Sequence, residues 1–185
     1  VAAGRLVVNA ATGFGNAGAI ETTVASVDIT AGAGAIRIVE TDGLTLTSLS
    51  NTNTFDLDIT AGATMTVVTA YTRTGAGQLI FQVLGADQNL NVTNALQTAT
   101  GTIDLQARGN VVLGANADLT TTSATITVKA DIDANTTGAL TMADGTVFAS
   151  ATGLIDMCAG GDITLGRITT GNATVNAVTL LSTDG

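Results

Sequence analysis

The 185 residues carry a net charge of −9, and their six basic side chains, Arg5, Arg37, Arg73, Arg108, Lys129 and Arg167, are scattered singly; this excludes the basic cluster that nucleic acid or an anionic membrane surface requires. His is absent and Cys158 is the lone cysteine, which removes Ser-His-Asp and Cys-His catalysis, cluster-bound zinc and any intrachain disulfide. Hydrophobic residues at 45% allow a core, but aromatics at 3% keep it narrow, so a thin stack of sheets fits better than a wide sandwich or an α/β domain.

Taken in chain order, the first clear element is Val27-Asp28-Ile29-Thr30, an alternation of apolar and polar residues with the period of a strand, closed by Ala31-Gly32-Ala33. Gly43 leads into a second, Leu44-Thr45-Leu46-Thr47. Leu57-Asp58-Ile59-Thr60-Ala61-Gly62-Ala63 then repeats the first, 30 positions on from Asp28 to Asp58. The stretch from Ala70 to Thr100 fits the pattern worst and is expected to hold a looser coil or an excursion. Ile103-Asp104-Leu105-Gln106-Ala107 and the Gly-led strand after it, Val111-Val112-Leu113, return as Ile155-Asp156-Met157-Cys158-Ala159 and Ile163-Thr164-Leu165. The offset from Asp104 to Asp156 is 52, which suggests two coils of about 26 residues. Between them lie Thr125-Ile126-Thr127-Val128 and Asp144-Gly145-Thr146-Val147-Phe148. Gly13-Phe14-Gly15, Gly32-Ala33-Gly34 and Gly75-Ala76-Gly77 precede no helix, so they do not read as nucleotide cradles.

These elements are expected to form an all-β, single-stranded parallel β-helix (β-solenoid) of roughly seven coils, with coils of about 22 to 30 residues. Residues 1–185 read as one solenoid segment, excerpted from a longer repetitive chain, since Val1-Ala2-Ala3-Gly4 and Ser182-Thr183-Asp184-Gly185 are themselves repeat-like. No signal-peptide leader and no apolar run near 18 residues is present. Pro is absent, in keeping with strands that have a neighbour on both sides. Val, Ile, Leu and Ala are expected to form inward ladders, and Thr, Ser and Asn outward ones. A β-sandwich is the rival architecture, disfavoured by the missing Pro and aromatics.

Carboxylates are the remaining chemistry. Asp56 and Asp58 lie two apart, as do Asp131 and Asp133, so each pair would share a strand face about 7 Å apart, a spacing suited to sugar hydrolysis. The plainer reading is Asp as the solvent-facing partner in an alternating strand, and no catalytic, cofactor-binding or metal residue is assigned. Direct stacking of Asp on Asp would repel and invite bridging Ca2+, although the Gly-Gly-x-Gly-x-Asp nonapeptide of calcium-binding solenoids is absent. Thr120-Thr121-Thr122, Thr125-Ile126-Thr127 and similar runs could build a flat Thr face of the kind that orders water, but their spacing is irregular. Cys158 reads as a small buried hydrophobe.

Gly161-Asp162-Ile163-Thr164-Leu165-Gly166-Arg167-Ile168-Thr169-Thr170-Gly171-Asn172-Ala173-Thr174-Val175 resembles repeats of filamentous-haemagglutinin-like exoproteins, which are giant bacterial adhesins. Asp28 to Ala33, Asp42 to Leu49 and Asp58 to Ala63 carry the same style. The resemblance implies a right-handed hand for the β-helix, an extracellular place on the bacterial cell surface, and adhesion, fibre formation or cell–cell contact. The expectation is therefore a structural or adhesive rod and not an enzyme, self-associating end to end or in a filament, with surface or glycan ligands, no nucleic acid and no membrane insertion. The alternatives are a carbohydrate-active β-helix enzyme using the paired Asp residues and an ice- or surface-binding Thr-rich solenoid.

Overall fold

The computed structural model describes residues 2–15, 17–51 and 54–183. Val1, Asp184 and Gly185, part of the repeat-like chain ends, lie outside the described residues. The described residues contain twenty strands and no helix. Every pairing is parallel, which rules out the antiparallel sandwich. The chain winds as a parallel β-solenoid of about eight turns. At about 4.8 Å per turn the stack is roughly 35 to 40 Å long.

The first face stacks eight strands: β1 (Ala2–Ala10), the later part of β2 (Ile20–Ala31), β4 (Leu44–Asn51), β6 (Met65–Val67), β9 (Leu90–Val92), β12 (Val111–Leu113), β15 (Leu140–Met142) and β18 (Ile163–Thr164). The second face carries the start of β2, then β3 (Ile36–Glu40), β5 (Leu57–Ala61), β8 (Leu79–Val83), β11 (Ile103–Ala107), β14 (Ile126–Lys129), β17 (Ile155–Ala159) and β20 (Val178–Ser182). Among the described residues a third face begins at β7 (Tyr71–Arg73) and continues through β10 (Leu96–Thr98), β13 (Leu119–Thr121), β16 (Val147–Ser150) and β19 (Arg167–Thr170).

The rod therefore changes cross-section, from two sides to three, at Tyr71. The stretch from Ala70 to Thr100, expected to be the least regular, is in regular register and is where this change happens. Early turns are short: Ile20 pairs with Ile38 and Ile36 with Leu57, intervals of 18 and 21 residues. Those two-sided turns are why the stack has about eight turns instead of seven. Ile103 pairs with Ile126, 23 positions on, and Ile126 with Ile155, a further 29, so the 52-residue offset is indeed two turns. The 30-residue offset is not a stacking repeat. Asp28 lies on the first face and Asp58 on the second, because β2 turns the corner after Thr22.

Alternation becomes columns. Leu57, Leu79, Ile103, Ile126 and Ile155 stack directly, as do Ile59, Phe81, Leu105, Val128 and Met157, and all ten are buried. Each column hides apolar area that a lone coil would expose, at about 25 cal/mol per Å². Not every Thr faces out, contrary to the sequence expectation. Thr98, Thr121 and Ser150 form a buried column at the end of the third-face strands. Their hydroxyls hold the corners: Thr121 Oγ1 accepts from Ala124 N at 3.2 Å and Ser150 Oγ from Gly153 N at 2.8 Å. The corners are tight: a Cβ added to Gly101 would stand 1.8 Å from the Gly77 carbonyl oxygen. On the first face, Asn89 Oδ1 accepts from Asn110 N and Nδ2, at 2.8 and 3.1 Å, and Asn110 Oδ1 from Ala139 N at 2.8 Å.

Leu105→Ala, inside the column, is expected to lower the unfolding free energy by about 2–5 kcal/mol. Thr127→Ala, on the outer row one coil on, is expected to change it by less than about 0.5 kcal/mol. Urea denaturation of both variants checks the difference.

Candidate functional site

Asp56 and Asp58 flank the buried Leu57 and emerge on the same side of the second face. Asp56 Oδ1 accepts from Gln78 N at 2.9 Å, and Arg37 Nη2 lies 4.0 Å from Asp56 Oδ2. Burial pushes the Asp58 carboxyl above its ordinary value; Arg37 opposes this and Asp56 adds to it. The pair is thus brought together as the spacing suggested.

Asp131 and Asp133 are not on a shared strand face. Asp131 follows β14 in a turn with φ of 59°, and Ala134 and Thr136 also have positive φ, so the strand alternation breaks there. Its buried carboxylate accepts from Asn135 N and Thr136 N, both at 2.9 Å, while Asp133 is exposed. The residues read as a strand are an insertion that lengthens this turn to 29 residues.

The outer row of the second face runs Arg37, Asp58, Ile80, Asp104, Thr127, Asp156. Acidic residues alternate with uncharged ones, so the direct Asp-on-Asp stacking that would call for a bridging cation does not occur in this row. Among the described residues no group of three or more Cys, Asp or Glu converges to hold a metal ion. Asp28, on the first face, pairs with Arg5 and accepts from Thr47 Oγ1, the extra residue of a bulge opposite Val27 and Asp28. Cys158 is half-buried on the outer row between Lys129 and Leu181, not a core residue as its neighbours implied.

Two surfaces remain. A groove of about 540 Å³ follows the third face over Gln97, Thr120, Ala149 and Thr169, all small or neutral. The other surface is the last coil. Val178 and Leu180 continue the Ile155 and Met157 columns but are 38% and 44% exposed, and Ile163 and Ile168 are only partly covered. In the described chain β18, β19 and β20 are the outermost strands of their faces, so each leaves one row of backbone N–H and C=O groups unpaired by another strand.

Two buried ionisable residues went unnoticed in the sequence. Glu40 accepts from Thr22 Oγ1 at 2.5 Å, Val24 N at 3.0 Å and Asp42 N at 3.3 Å. Arg73 is buried beside Tyr71 and donates to the carbonyls of Gln78, at 2.8 Å, and Phe55. Arg73 Nε and Tyr71 Oη make no well-aligned hydrogen bond among the described residues, and the guanidinium beside the phenol partly offsets the effect of burial on it. The available signal was phase: Glu40 falls in step with Ile36 and Ile38, and Arg73 in step with Tyr71. No family model, no curated protein and no solved structure matches the chain.

Because the folded chain holds the Asp58 proton more tightly than the unfolded chain, this residue makes stability fall as pH rises through the window just above 3.8. Asp58→Asn is expected to melt slightly above the parent at neutral pH, with the difference vanishing below 3.8. Thermal melts across that range check the sign.

Proposed function

We propose that the chain is a structural and adhesive segment of a large protein secreted to, or displayed on, a bacterial surface, and that it works as a rod. The observation that carries this is the parallel stack itself: buried apolar columns run unbroken from coil to coil through the described residues. Further coils add to such a stack by the same backbone pairing that joins its turns, so association by that pairing extends the rod along its axis. The net charge of −9 opposes side-to-side clumping and leaves the axis as the favoured direction of association. The placement outside the cell rests on the repeat style of Gly161 to Val175 and its likeness to adhesin repeats. Ligands at the cell surface, glycans included, would meet the outer rows of Thr, Gln and Asn.

In this reading Asp56 and Asp58 serve solubility and local hydrogen bonding and carry no chemistry. The pair lies on a strand row and not in a cleft closed off from water, which acid–base catalysis on a sugar would favour.

Electron microscopy of the purified chain is expected to show rods that lengthen with concentration; compact particles of one size at every concentration would overturn the proposal. Leu180→Lys, which sets a charge in the last described coil of the purified chain, is expected to shift the population to single short rods. A polysaccharide panel is expected to give no turnover with either parent or Asp58→Asn, and turnover lost in that variant would favour the enzyme instead.

A further inference from the structure

The last position of the third-face strands forms a column that reads Arg73, Thr98, Thr121, Ser150, Thr170. Four of these five are hydroxyls that tie the strand to the corner leading to the second face. Thr121 donates to the Ala99 carbonyl at 3.2 Å, Ser150 to that of Ala124 at 3.1 Å and Thr170 to that of Gly153 at 3.2 Å. Each of these acceptors belongs to the corner of the coil beneath. Thr98 instead donates to the Gly101 carbonyl of its own corner; in the other three a short side chain reaches the corner below, where the coil beneath has its own paired third-face strand.

Among the described residues no strand pairs with β7 from the coil beneath Arg73, although the two strands β4 and β7 approach one another. The corner there is the segment entering β5, and its carbonyl at Phe55 is reached by Arg73 Nη2. Nη1 donates to the Gln78 carbonyl of the coil's own corner at 2.8 Å, and Gln78 N in turn donates to Asp56. Gly77 leaves the space: a Cβ there would stand 2.2 Å from the Phe55 oxygen and 2.7 Å from Arg73 Nη1. The Tyr71 ring lies alongside, its centroid 5.8 Å from the guanidinium carbon. A buried guanidinium is costly unless its donors are met, and a planar fork meets two carbonyls where a hydroxyl meets one.

We propose that Arg73, seated in the space left by Gly77, is the clamp that fixes where the rod gains its third face. It does the work of the hydroxyl column with a longer arm, at the level where, among the described residues, the coil beneath offers β7 no paired strand. The cross-section is then set by a local contact and not by the core as a whole.

Hydrogen exchange on the whole chain tests this with two variants. Arg73→Thr supplies the column's usual hydroxyl but cannot span to Phe55. Gly77→Ala keeps the arginine and fills its seat. Both are expected to lose amide protection by about tenfold or more in β7, around 55–57 and around 76–79, while β11, β14 and β17 stay within about twofold of the parent. Parent-like protection of β7 in Arg73→Thr would overturn the clamp, since the arginine would then only fill space. Loss spread evenly through β11, β14 and β17, or failure of both variants to fold, would overturn it too, because the contact would be global.

Discussion

One coil of this chain cannot stand alone. It has two open backbone edges and an apolar row with nothing above or below it. Parallel stacking answers both needs at once: the ladder between successive coils pairs the edges, and Leu57, Leu79, Ile103, Ile126 and Ile155 close into a column. Small and β-branched side chains suit this because the interior is only as wide as two or three facing rows. The same logic explains the absence of Pro, which would interrupt a ladder paired on both sides.

Corners are where the design is most exacting. A strand can repeat with little regard to side-chain detail, but a corner must turn the backbone tightly and still satisfy its carbonyls and amides. Glycines allow the approach, as at Gly101 over Gly77, and buried hydroxyls supply the bonds. Where a corner is too far away the side chain grows longer, and Arg73 replaces Thr or Ser. Where the chain inserts residues, as from Asp131 to Gly138, a buried carboxylate holds the detour through two backbone amides. These polar side chains look like surface residues by composition and act as internal fittings.

Outward rows on two faces of the rod carry mostly short polar side chains with isolated carboxylates. The second-face row alternates Asp with Ile or Thr, and the third-face groove is floored by Gln, Thr and Ala. The raised Asp58 proton affinity fits the same picture, since it follows mainly from burial beside neighbouring coils.

Much of the strand content was legible because alternation says which side of a strand each residue takes, and that depends only on the backbone pleat. It identified Leu57-Asp58-Ile59-Thr60 and Ile103-Asp104-Leu105, and the 52-residue offset gave two true turns. Alternation also held the clue to Glu40 and Arg73, but composition argues against burying a charge, and only the acceptors and donors around them make it tolerable. Asp131 escaped for the opposite reason: the alternation continues through it in sequence while the backbone turns. What the sequence by itself determined is a parallel-stacking, narrow-cored chain of short strands without His-based chemistry. Only the tertiary structure decided which coil lies beneath which, that Asp28 and Asp58 belong to different faces, and that the third face starts at Tyr71. Those depend on corner lengths and on contacts between residues about twenty or more positions apart, and a local period carries no record of what lies one coil below.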